Sequence, residues 1–411
     1  MPKRGALGHP GRAALLVFAL ALSGGPGSSL LSGQDQSLAS PPPAQKALFE
    51  KLHVAEAWQL TKGIPDVLVG VIDNGFDFYH PLLKGRLIPG FYASGGFHTE
   101  LSGTIAHGTA VASIIAARGG PGSEMTGLAP GCRVVTASQG MIEHTLFRMQ
   151  QDWVKSHPGA PLDEFMKKAA ASEELKKFGR DWTTYQAAAN ADAVLYLVDR
   201  GVRVINISGL LRKSLYRIAA DWDRLEAAFK HAADKGVLMV LAAGNNAVES
   251  EDYPGDGASV LIVGASRLDD TRWEQEIQMM GRTFKQGSNF GKRLGVMAPS
   301  DSLVVCNPHE SRFYTADDGP MGPETGAFTK AVEVMPTGAT SCAAPIVTAL
   351  AALVFSLRPD LDGPAVADLI KKGCDDIGEK GFDILTGYGR VNFLRTLRLA
   401  QEAGRAASPQ R

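Results

Sequence analysis

Three short motifs carry side chains that could act together on a carbonyl group. Asp73 ends the apolar run 67–72, His107 opens a stretch of small apolar residues, and Ser341 precedes a long apolar stretch. A carboxylate, a base that titrates near neutral pH and a hydroxyl nucleophile are the groups that nucleophilic acyl transfer needs. The sequence therefore predicts an acyl-transfer site built from Asp73, His107 and Ser341.

Each of these residues also has an ordinary structural interpretation. Asp73 could close a strand as a turn former, a lone histidine is usually structural, and Ser341 could cap its helix. The context favours chemistry, because Asp73 follows a buried strand and the strand ends of α/β sheets are where sites form. Pro345 suits the first turn of the helix at Ser341, whose amides and dipole would stabilise an oxyanion.

A fourth motif ends in an amide side chain. Asn245 follows the apolar run 237–242 and Gly244, so it is also expected at the end of a buried strand. Its carboxamide could donate a hydrogen bond to a developing oxyanion. Turn formation is the alternative, and Asn246 is the weaker candidate of the two.

The elements that must position these residues alternate along the chain. Short runs rich in Val, Ile and Leu are separated by helical patterns. The runs lie at 67–72, 203–207, 237–242 and 260–264, and the helical patterns lie at 183–199 and 221–235. Such alternation predicts an α/β fold of three layers, with a mostly parallel central sheet and helices on both faces.

Composition narrows the class of protein. The chain has 411 residues, of which 45% are hydrophobic, so it can bury a sizeable core. Its 42 basic and 43 acidic residues leave a net charge of −1. Because there is no cationic excess to bind phosphate groups, we expect no nucleic-acid partner.

The N-terminus has the pattern of a secretory signal peptide, assigned to residues 1–33. A basic start is followed by the apolar run 13–22 and then by small residues. The run is shorter than the roughly 20 residues that a spanning helix needs. We therefore expect a secreted or periplasmic protein without a stable membrane anchor, and retention of the segment as an anchor is the alternative.

The rest of the chain is predicted to form a linker, one large domain and a tail. Residues 141–182 interrupt the alternation and predict a helical insertion in the domain, and residues 307–335 predict a long surface excursion. The linker is assigned to 34–46, the domain to 47–397 and the tail to 398–411.

The four cysteines do not define a disulfide framework. An even number suits an oxidising compartment, but they are widely scattered, and their pairing is left open. A small buried apolar side chain is an equally good interpretation of each one. They are Cys132, Cys306, Cys342 and Cys374.

Taken together, the motifs resemble the subtilase family, because Asp, His and Ser follow one another in the order of subtilisin. Further landmarks are spread over 47–397. They include Gly127-Leu128-Ala129-Pro130, Val204-Ile205-Asn206-Ile207-Ser208, Ser288-Asn289-Phe290-Gly291 and Gly387-Tyr388-Gly389-Arg390-Val391-Asn392. The resemblance implies a subtilisin-like fold and a monomeric serine endopeptidase that acts on protein or peptide substrates.

The resemblance also implies a role for each candidate residue. Ser341 would attack the peptide carbonyl, His107 would take and return the proton, and Asp73 would orient the imidazole. Asn245 and the Ser341 amide would bind the oxyanion. The walls of the substrate site would be formed by Ser208, Gly209 and Gly244.

The sequence departs from the family pattern at several places. Asn74, Ala339 and Cys342 stand where a small hydroxyl residue, a glycine and a methionine are usual. Ser208 is followed directly by Gly209, without the hydrophobic residue normally found between them, which leaves the shape of the first specificity pocket open. None of these changes removes a catalytic group.

A cofactor is not required by this chemistry. Calcium is common in the family, and Asp77 matches a position that can ligate it. One carboxylate does not make a site for an ion that takes six to eight oxygens, so a structural calcium stays unplaced.

Three alternatives compete with the endopeptidase. A latent or degenerate subtilase that binds peptides is favoured if the insertion covers the cleft, and the short linker leaves little room for an inhibitory propeptide. An esterase or lipase is disfavoured, because no Gly-x-Ser-x-Gly elbow surrounds Ser341 and the chain order differs. A transpeptidase or ligase on the same fold is left open.

Overall fold

The computed structural model describes most of the predicted domain. The described ranges are 41–93, 105–119, 123–139, 173–209, 211–216, 218–279, 282–307, 332–335 and 338–407, with a few isolated residues between 153 and 168. The predicted signal peptide, most of the linker and most of the predicted insertion lie outside the described residues.

A parallel sheet of seven strands forms the centre of the fold. Four further described strands form two smaller pairs. In chain order, all of these strands are β1 (Leu68–Asp73), β2 (Leu87–Tyr92), β3 (Arg133–Ser138), β4 (Val204–Ile207), β5 (Leu238–Ala242), β6 (Val260–Ser266), β7 (Glu274–Met279), β8 (Arg282–Gly287), β9 (Leu294–Pro299), β10 (Leu303–Cys306) and β11 (Val332–Met335). The sheet has the order β2-β3-β1-β4-β5-β6-β9, and β7–β8 and β10–β11 form separate antiparallel pairs. The predicted parallel sheet is confirmed.

Helices cover both faces of the sheet. They are α1 (Lys46–Leu52), α2 (Val54–Ala57), α3 (Ile105–Ala116), α4 (Glu173–Asp199), α5 (Ala219–Asp234), α6 (Thr340–Leu357), α7 (Gly363–Gly373) and α8 (Phe393–Ala407). Side chains of α3, α6, α7 and α8 pack in one apolar cluster, and those of α4 and α5 pack in a second cluster. The predicted three-layer arrangement is therefore confirmed.

The alternation of side chains along each strand explains the continuous apolar runs. In β1, Val69 and Val71 belong to the cluster with α3 and α6, whereas Ile72 belongs to the cluster with α4 and α5. Successive residues of a strand point to opposite faces, and both faces are covered here. Most positions of such strands are therefore apolar or small, and the buried polar exceptions, such as Asn206 in β4, have hydrogen-bond partners.

Helix α6 is the central helix of the core. Its 18 residues have a mean hydropathy of 1.9, so by length and composition alone the helix could cross a membrane. However, 83% of the helix is buried inside the protein. Within the described residues it is the one helix with this property. Its burial against the sheet accounts for the apolar composition.

Three predicted boundaries differ from the structure. Helix α4 begins at Glu173, so residues 173–182 of the predicted insertion continue directly into the helix predicted for 183–199. Helix α8 runs to Ala407, so residues 398–407 of the predicted tail are helical. Residues 173–182 are mainly charged or polar, and residues 398–407 are rich in alanine with charged residues between, so a search for apolar patterns alone does not show either extension.

The end of the predicted linker is also folded. A 3-10 turn spans Pro43–Gln45 and leads directly into α1. The buried Gln45 side chain donates to the Thr126 carbonyl (2.9 Å) and accepts from the Thr126 amide (2.7 Å). This pair of hydrogen bonds ties the start of the described chain to the body of the domain.

Candidate active site

The candidate residues meet at one edge of the sheet. Strand β1 lies between β3 and β4, and its last residue, Asp73, pairs with Ser138 at the end of β3. Ile207, just before Ser208, pairs with Ile72 on one side and with Leu241 on the other. The carboxyl ends of three neighbouring strands therefore bring Asp73, Ser208 and the loop after β5 together.

Asp73 and His107 form a hydrogen-bonded pair. His107 Nδ1 lies 2.8 Å from Asp73 Oδ1 and 2.9 Å from Asp73 Oδ2. The carboxylate is buried, with 3% of its side chain exposed, whereas 44% of the imidazole is exposed. The Asn74 amide also donates to Asp73 Oδ1 (2.8 Å). A carboxylate bound to Nδ1–H leaves Nε2 as the ring nitrogen that can accept a proton.

Glycine allows α3 to approach the turn after β1 closely. A Cβ at Gly108 would overlap the Gly75 carbonyl oxygen, so a larger residue would push His107 away from Asp73. The Asp77 amide donates to Thr109 Oγ1 at 2.9 Å, which fixes the same turn to the first residues of the helix. These contacts set the relative positions of the carboxylate and the imidazole.

Ser341 is the second residue of α6. Ala339, with extended backbone angles, is the N-cap, so the capping role considered for Ser341 is not the one it has. The Ser341 side chain is half-buried at the start of the helix. In the first turn of a helix the backbone amides lack intrahelical partners, and they can bind an anion.

Pro345 explains an unusual contact of the Ser341 carbonyl. Its predicted place in the first turn is wrong, because α6 begins at Thr340 and makes Pro345 the sixth residue. A proline there has no N–H to donate to the carbonyl four residues earlier, which belongs to Ser341. The Ser208 hydroxyl donates to that oxygen instead, at 2.9 Å.

A buried chain of hydrogen bonds supports Ser208. Asn206 Nδ2 donates to Ser208 Oγ at 2.9 Å, and the Thr348 hydroxyl donates to Asn206 Oδ1 at 3.0 Å. Asn206 and Thr348 are completely buried. The chain therefore connects the end of β4 to α6 on both sides of Pro345 and fixes the backbone of Ser341. No local motif in the sequence marks Thr348 as part of this chain of hydrogen bonds.

Thr340 orients the carboxamide of Asn245. Both the Thr340 amide (3.0 Å) and the Thr340 hydroxyl (2.8 Å) donate to Asn245 Oδ1. A backbone N–H can only donate, so the atom it meets must be the side-chain oxygen. The Thr340 hydroxyl in turn accepts from the amide of Gly244, which has a φ of 98°. The two hydrogens of Asn245 Nδ2 remain as donors at this edge of the sheet.

Asn289 holds the backbone around Asn245. Its side-chain oxygen accepts from the amides of Asn246 (3.0 Å) and Val248 (3.3 Å), and its Nδ2 donates to the Ala243 carbonyl (2.9 Å). Asn289 is buried, whereas Asn246 is exposed. In the sequence, Asn289 is marked only by its place in the family motif around Phe290. That motif does not show that the Asn289 side chain binds the backbone around Asn245.

The predicted wall residues lie near Ser341. Ser208 and Gly244 are buried, and Gly209 is half-buried. The loop after Gly209 is held by Asp252, whose carboxylate accepts from Arg212 Nε (2.9 Å) and the Ser214 amide (2.8 Å). Burial favours a higher pKa for the Asp252 carboxyl, but the hydrogen bonds from Ser214 and the hydrogen bond and charge of Arg212 outweigh it and lower the pKa to about 2.

All four cysteines are unpaired and buried. Burial raises the pKa of the Cys132 thiol to about 11 and that of Cys306 to about 12, and it also raises the pKa of Cys342 and Cys374. Neutral thiols of this kind are poor nucleophiles. Their environment matches the buried apolar interpretation, including that of Cys342 next to the candidate nucleophile.

The surroundings of Asp77 do not fit calcium. Asp77 is 6% exposed, and its Oδ1 accepts from the Tyr79 amide at 2.8 Å. Among the described residues, no group of three or more His, Cys, Asp or Glu side chains could hold a metal ion. Calcium needs six to eight oxygens. In the described part of the chain, Asp77 therefore does not belong to a cluster of acidic side chains of that kind.

Comparison with known proteins identifies the family. A family model described as the subtilase family matches residues 65–389. The chain belongs to the subtilase family. Fervidolysin of Fervidobacterium pennivorans is 26% identical over 350 residues, covering 82% of this chain and 41% of that protein. The thermophilic serine proteinase of Bacillus sp. strain AK1 is 25% identical, covering 82% of this chain and 63% of that protein.

Solved structures share the fold. A lanthipeptide protease superimposes with a TM-score of 0.60 at 21% identity, covering 87% of this chain and 95% of that one.

Two further relatives, from Nostoc and Trichormus variabilis, are calcium-dependent proteases. The chain spans less than two thirds of the length of fervidolysin and of the Bacillus proteinase.

Proposed function

We propose that the chain is a secreted or periplasmic serine endopeptidase that hydrolyses peptide bonds through an acyl-enzyme intermediate. The observation that carries the proposal is the Asp73–His107 pair, 2.8 Å apart, at the sheet edge where α6 presents Ser341. A buried carboxylate, a half-exposed imidazole and a serine at a helix start are the parts of a Ser-His-Asp mechanism. Membership of the subtilase family supports the same chemistry.

In the first step His107 acts as the general base. Its Nε2 takes the proton of Ser341 Oγ as that oxygen attacks the peptide carbonyl, and the imidazolium later gives the proton to the leaving amine. The Asp73 carboxylate holds Nδ1–H and stabilises the positive charge of the imidazolium. Water then repeats the sequence on the acyl-enzyme, and His107 acts first as base and then as acid.

Two donors are assigned to the oxyanion. One is Asn245 Nδ2, which is aimed by the two hydrogen bonds from Thr340 to Asn245 Oδ1. The other is the Ser341 amide in the first turn of α6. Each donor is worth on the order of 3 kcal/mol of transition-state stabilisation. Both are fixed by contacts that exist before substrate binds, so little reorganisation is needed during reaction.

The substrate is proposed to bind as an extended strand near Ser208. Its backbone would add to the sheet edge, and Gly209 and Gly244 would line the walls on either side. Protein or peptide substrates are expected, cleaved by a monomer outside the cytoplasm. No catalytic step uses a cofactor, and calcium enters the proposal only as a structural ion, as the names of two relatives suggest.

Labelling with a fluorophosphonate probe tests the proposal. We expect the purified wild-type chain to be labelled and to hydrolyse casein, and both activities to vanish in Ser341→Ala, because the probe reacts with an activated serine. Ser356→Ala is the matched control, since Ser356 lies near the other end of α6 and donates to the Ala352 carbonyl. Labelling that persists in Ser341→Ala, or a folded wild-type chain that is not labelled, would contradict the proposal.

A further inference from the structure

Gly209 leaves open space at the proposed substrate edge. A Cβ built on Gly209 would have Gln139 Nε2, at 3.9 Å, as its only neighbour within 4 Å among the described atoms. The glycine does not have a positive φ, so the backbone does not demand a residue without a side chain. Among the described residues, no side chain therefore separates Gly209 from the carboxamide of Gln139.

Gln139 and Asn190 form a buried pair of carboxamides at this point. Gln139 Nε2 donates to Asn190 Oδ1 at 2.6 Å, and Asn190 Nδ2 donates to the Gln186 carbonyl at 2.9 Å. Asn190 is fully buried and Gln139 is 5% exposed. A carboxamide has two N–H donors and an acceptor oxygen. Within the described part of the chain, Gln139 Oε1 and its second side-chain N–H have no hydrogen-bond partner.

The backbone places this pair beside the catalytic carboxylate. The Gln139 amide donates to the Asp73 carbonyl (2.9 Å), and the Ser138 hydroxyl donates to the Asn74 carbonyl (2.6 Å). The end of β3 is therefore tied to the end of β1, and β4, which leads to Gly209, lies on the other side of β1. Gln139, Asp73 and Gly209 occupy three adjacent strand ends.

We infer that Gln139, Asn190 and Gly209 form a polar specificity subsite that accepts an uncharged hydrogen-bonding side chain of the substrate, that of Ser, Thr, Asn or Gln. The inference rests on the proposed function, because it is the proposed pairing near Ser208 that brings the acyl segment of a peptide past Gly209.

The chemistry of the pair selects this class of side chain. A bound hydroxyl or amide completes the hydrogen bonds of Gln139, whereas an apolar side chain covers the carboxamide and leaves its polar atoms unpaired. A charged side chain would lose its hydration without gaining a counter-charge, since neither Gln139 nor Asn190 is charged. The nearby carboxylate of Asp73 is already bonded to His107.

Two substitutions test the subsite in different ways. Gln139→Leu removes the hydrogen-bonding atoms at similar volume, and Gly209→Leu places an apolar side chain over them without touching the buried pair. Gly257→Leu is the matched control, because Gly257 is exposed, has no positive φ and has no described atom within 4 Å of a built Cβ. The readout is cleavage of a library of internally quenched peptides varied at each position of the acyl segment.

Each preparation is first titrated with the fluorophosphonate probe, so that kcat/KM is expressed per active serine. We expect wild type and Gly257→Leu to prefer Ser, Thr, Asn or Gln over Ala or Leu by about tenfold at one position of the acyl segment. Gln139→Leu and Gly209→Leu should abolish or reverse that preference while still being labelled. Because Gln139 is buried, Gln139→Leu carries the greater risk of misfolding, and Gly209→Leu decides the question if Gln139→Leu does not fold.

An unchanged preference in a labelled Gly209→Leu variant would overturn the subsite and leave the proposed function intact. So would a wild-type enzyme that prefers apolar or charged residues at every position. A folded wild-type chain that is not labelled would overturn the proposed function, and the subsite with it.

Discussion

Two polar networks fix this molecule with different chemistry. Around Ser341 the supporting partners are neutral amides and hydroxyls, namely Asn206, Ser208, Asn245, Thr340 and Thr348. Around the buried Arg390 they are charged. Arg390 binds Asp270 and Asp375, Lys51 lies 2.7 Å from Asp270, and Arg395 lies 2.8 Å from Asp375.

The charged network joins segments that are far apart in the chain. Lys51 lies in α1, Asp270 follows β6, and Arg390 precedes α8. Each carboxylate contacts two cations, so the buried guanidinium is balanced. Such a cluster holds distant segments in place, because removal of the buried guanidinium breaks ion pairs to both carboxylates at once.

The neutral network fixes positions without adding charge. A cation or carboxylate buried beside Ser341 would act strongly on the developing oxyanion and on the imidazolium, because charges interact strongly in an interior of low dielectric constant. Amides and hydroxyls hold the Ser341 carbonyl and the Asn245 carboxamide without that effect. The comparison shows that, apart from the Asp73–His107 pair, ion pairs hold the framework here, whereas neutral hydrogen bonds hold the Ser341 carbonyl and the Asn245 carboxamide.

The largest effect on stability is expected from Arg390→Met. The substitution leaves Asp270 and Asp375 with one cation each, and we expect the free energy of unfolding to fall by about 3 kcal/mol. Urea unfolding followed by circular dichroism measures the change. Arg395→Met is the control, because 52% of the Arg395 side chain is exposed and its loss should cost no more than about 1 kcal/mol. Equal losses in the two variants would contradict the distinction.

The second prediction concerns the neutral network. Asn245→Ala is expected to lower kcat by about 100- to 1000-fold with little change in KM or stability, because its Nδ2 is assigned to an oxyanion that forms only during reaction. Thr340→Val, which removes one of the two hydrogen bonds that aim Asn245, should lower kcat by about tenfold. Steady-state kinetics on a peptide substrate gives both values.

Asn246→Ala is the matched control for Asn245→Ala. Its side chain is exposed one residue further along the same turn, and it has no part in the proposed mechanism. We expect its kcat to stay within about twofold of wild type. A similar loss of kcat in Asn245→Ala and Asn246→Ala, or a loss confined to KM, would show that the turn matters and the amide donor does not.

The sheet could be predicted well from the sequence because its strands are buried on both faces. The runs at 67–72, 203–207 and 237–242 lie within one residue of β1, β4 and β5. The ends of α4 and α8 could not be predicted in the same way. The first turns of α4 are mainly polar and the last turns of α8 are rich in alanine, so neither end carries the large apolar residues on which the prediction of helices depends.

Only part of the candidate site could be predicted from the sequence. Asp73, His107 and Asn245 follow from local motifs, since Asp73 ends a strand, Asn245 lies in the turn after one and His107 lies in the first turn of a helix. The contact of Ser208 with the Ser341 carbonyl joins residues 133 positions apart, and that of Thr340 with Asn245 spans 95 positions. Local spacing carries no information about such partners. Pro345 was the one usable signal, because a proline inside a helix frees a carbonyl that must find another donor.

The smallest effect is expected from an ion pair beside the substrate edge, between Arg212 and Asp252. The pKa of the Asp252 carboxyl is lowered from 3.8 to about 2 in the folded protein, so the folded state favours its ionised form. A lowered pKa gives stability that is present above the unfolded value near 4 and is lost as the pH falls from about 4 to 2. Because the side chain is 28% exposed, we expect a contribution on the order of 1 kcal/mol.

Unfolding free energies of wild type and Asp252→Asn should therefore differ by about 1 kcal/mol at pH 6 and converge near pH 2. Arg212→Met should show the same convergence, and at pH 6 the double variant should lose less stability than the sum of the two single variants. If the three variants instead lose constant, additive amounts between pH 6 and pH 2, the pair is a surface contact without energetic coupling. Charge would then stabilise this fold only where it is buried, as it is at Arg390.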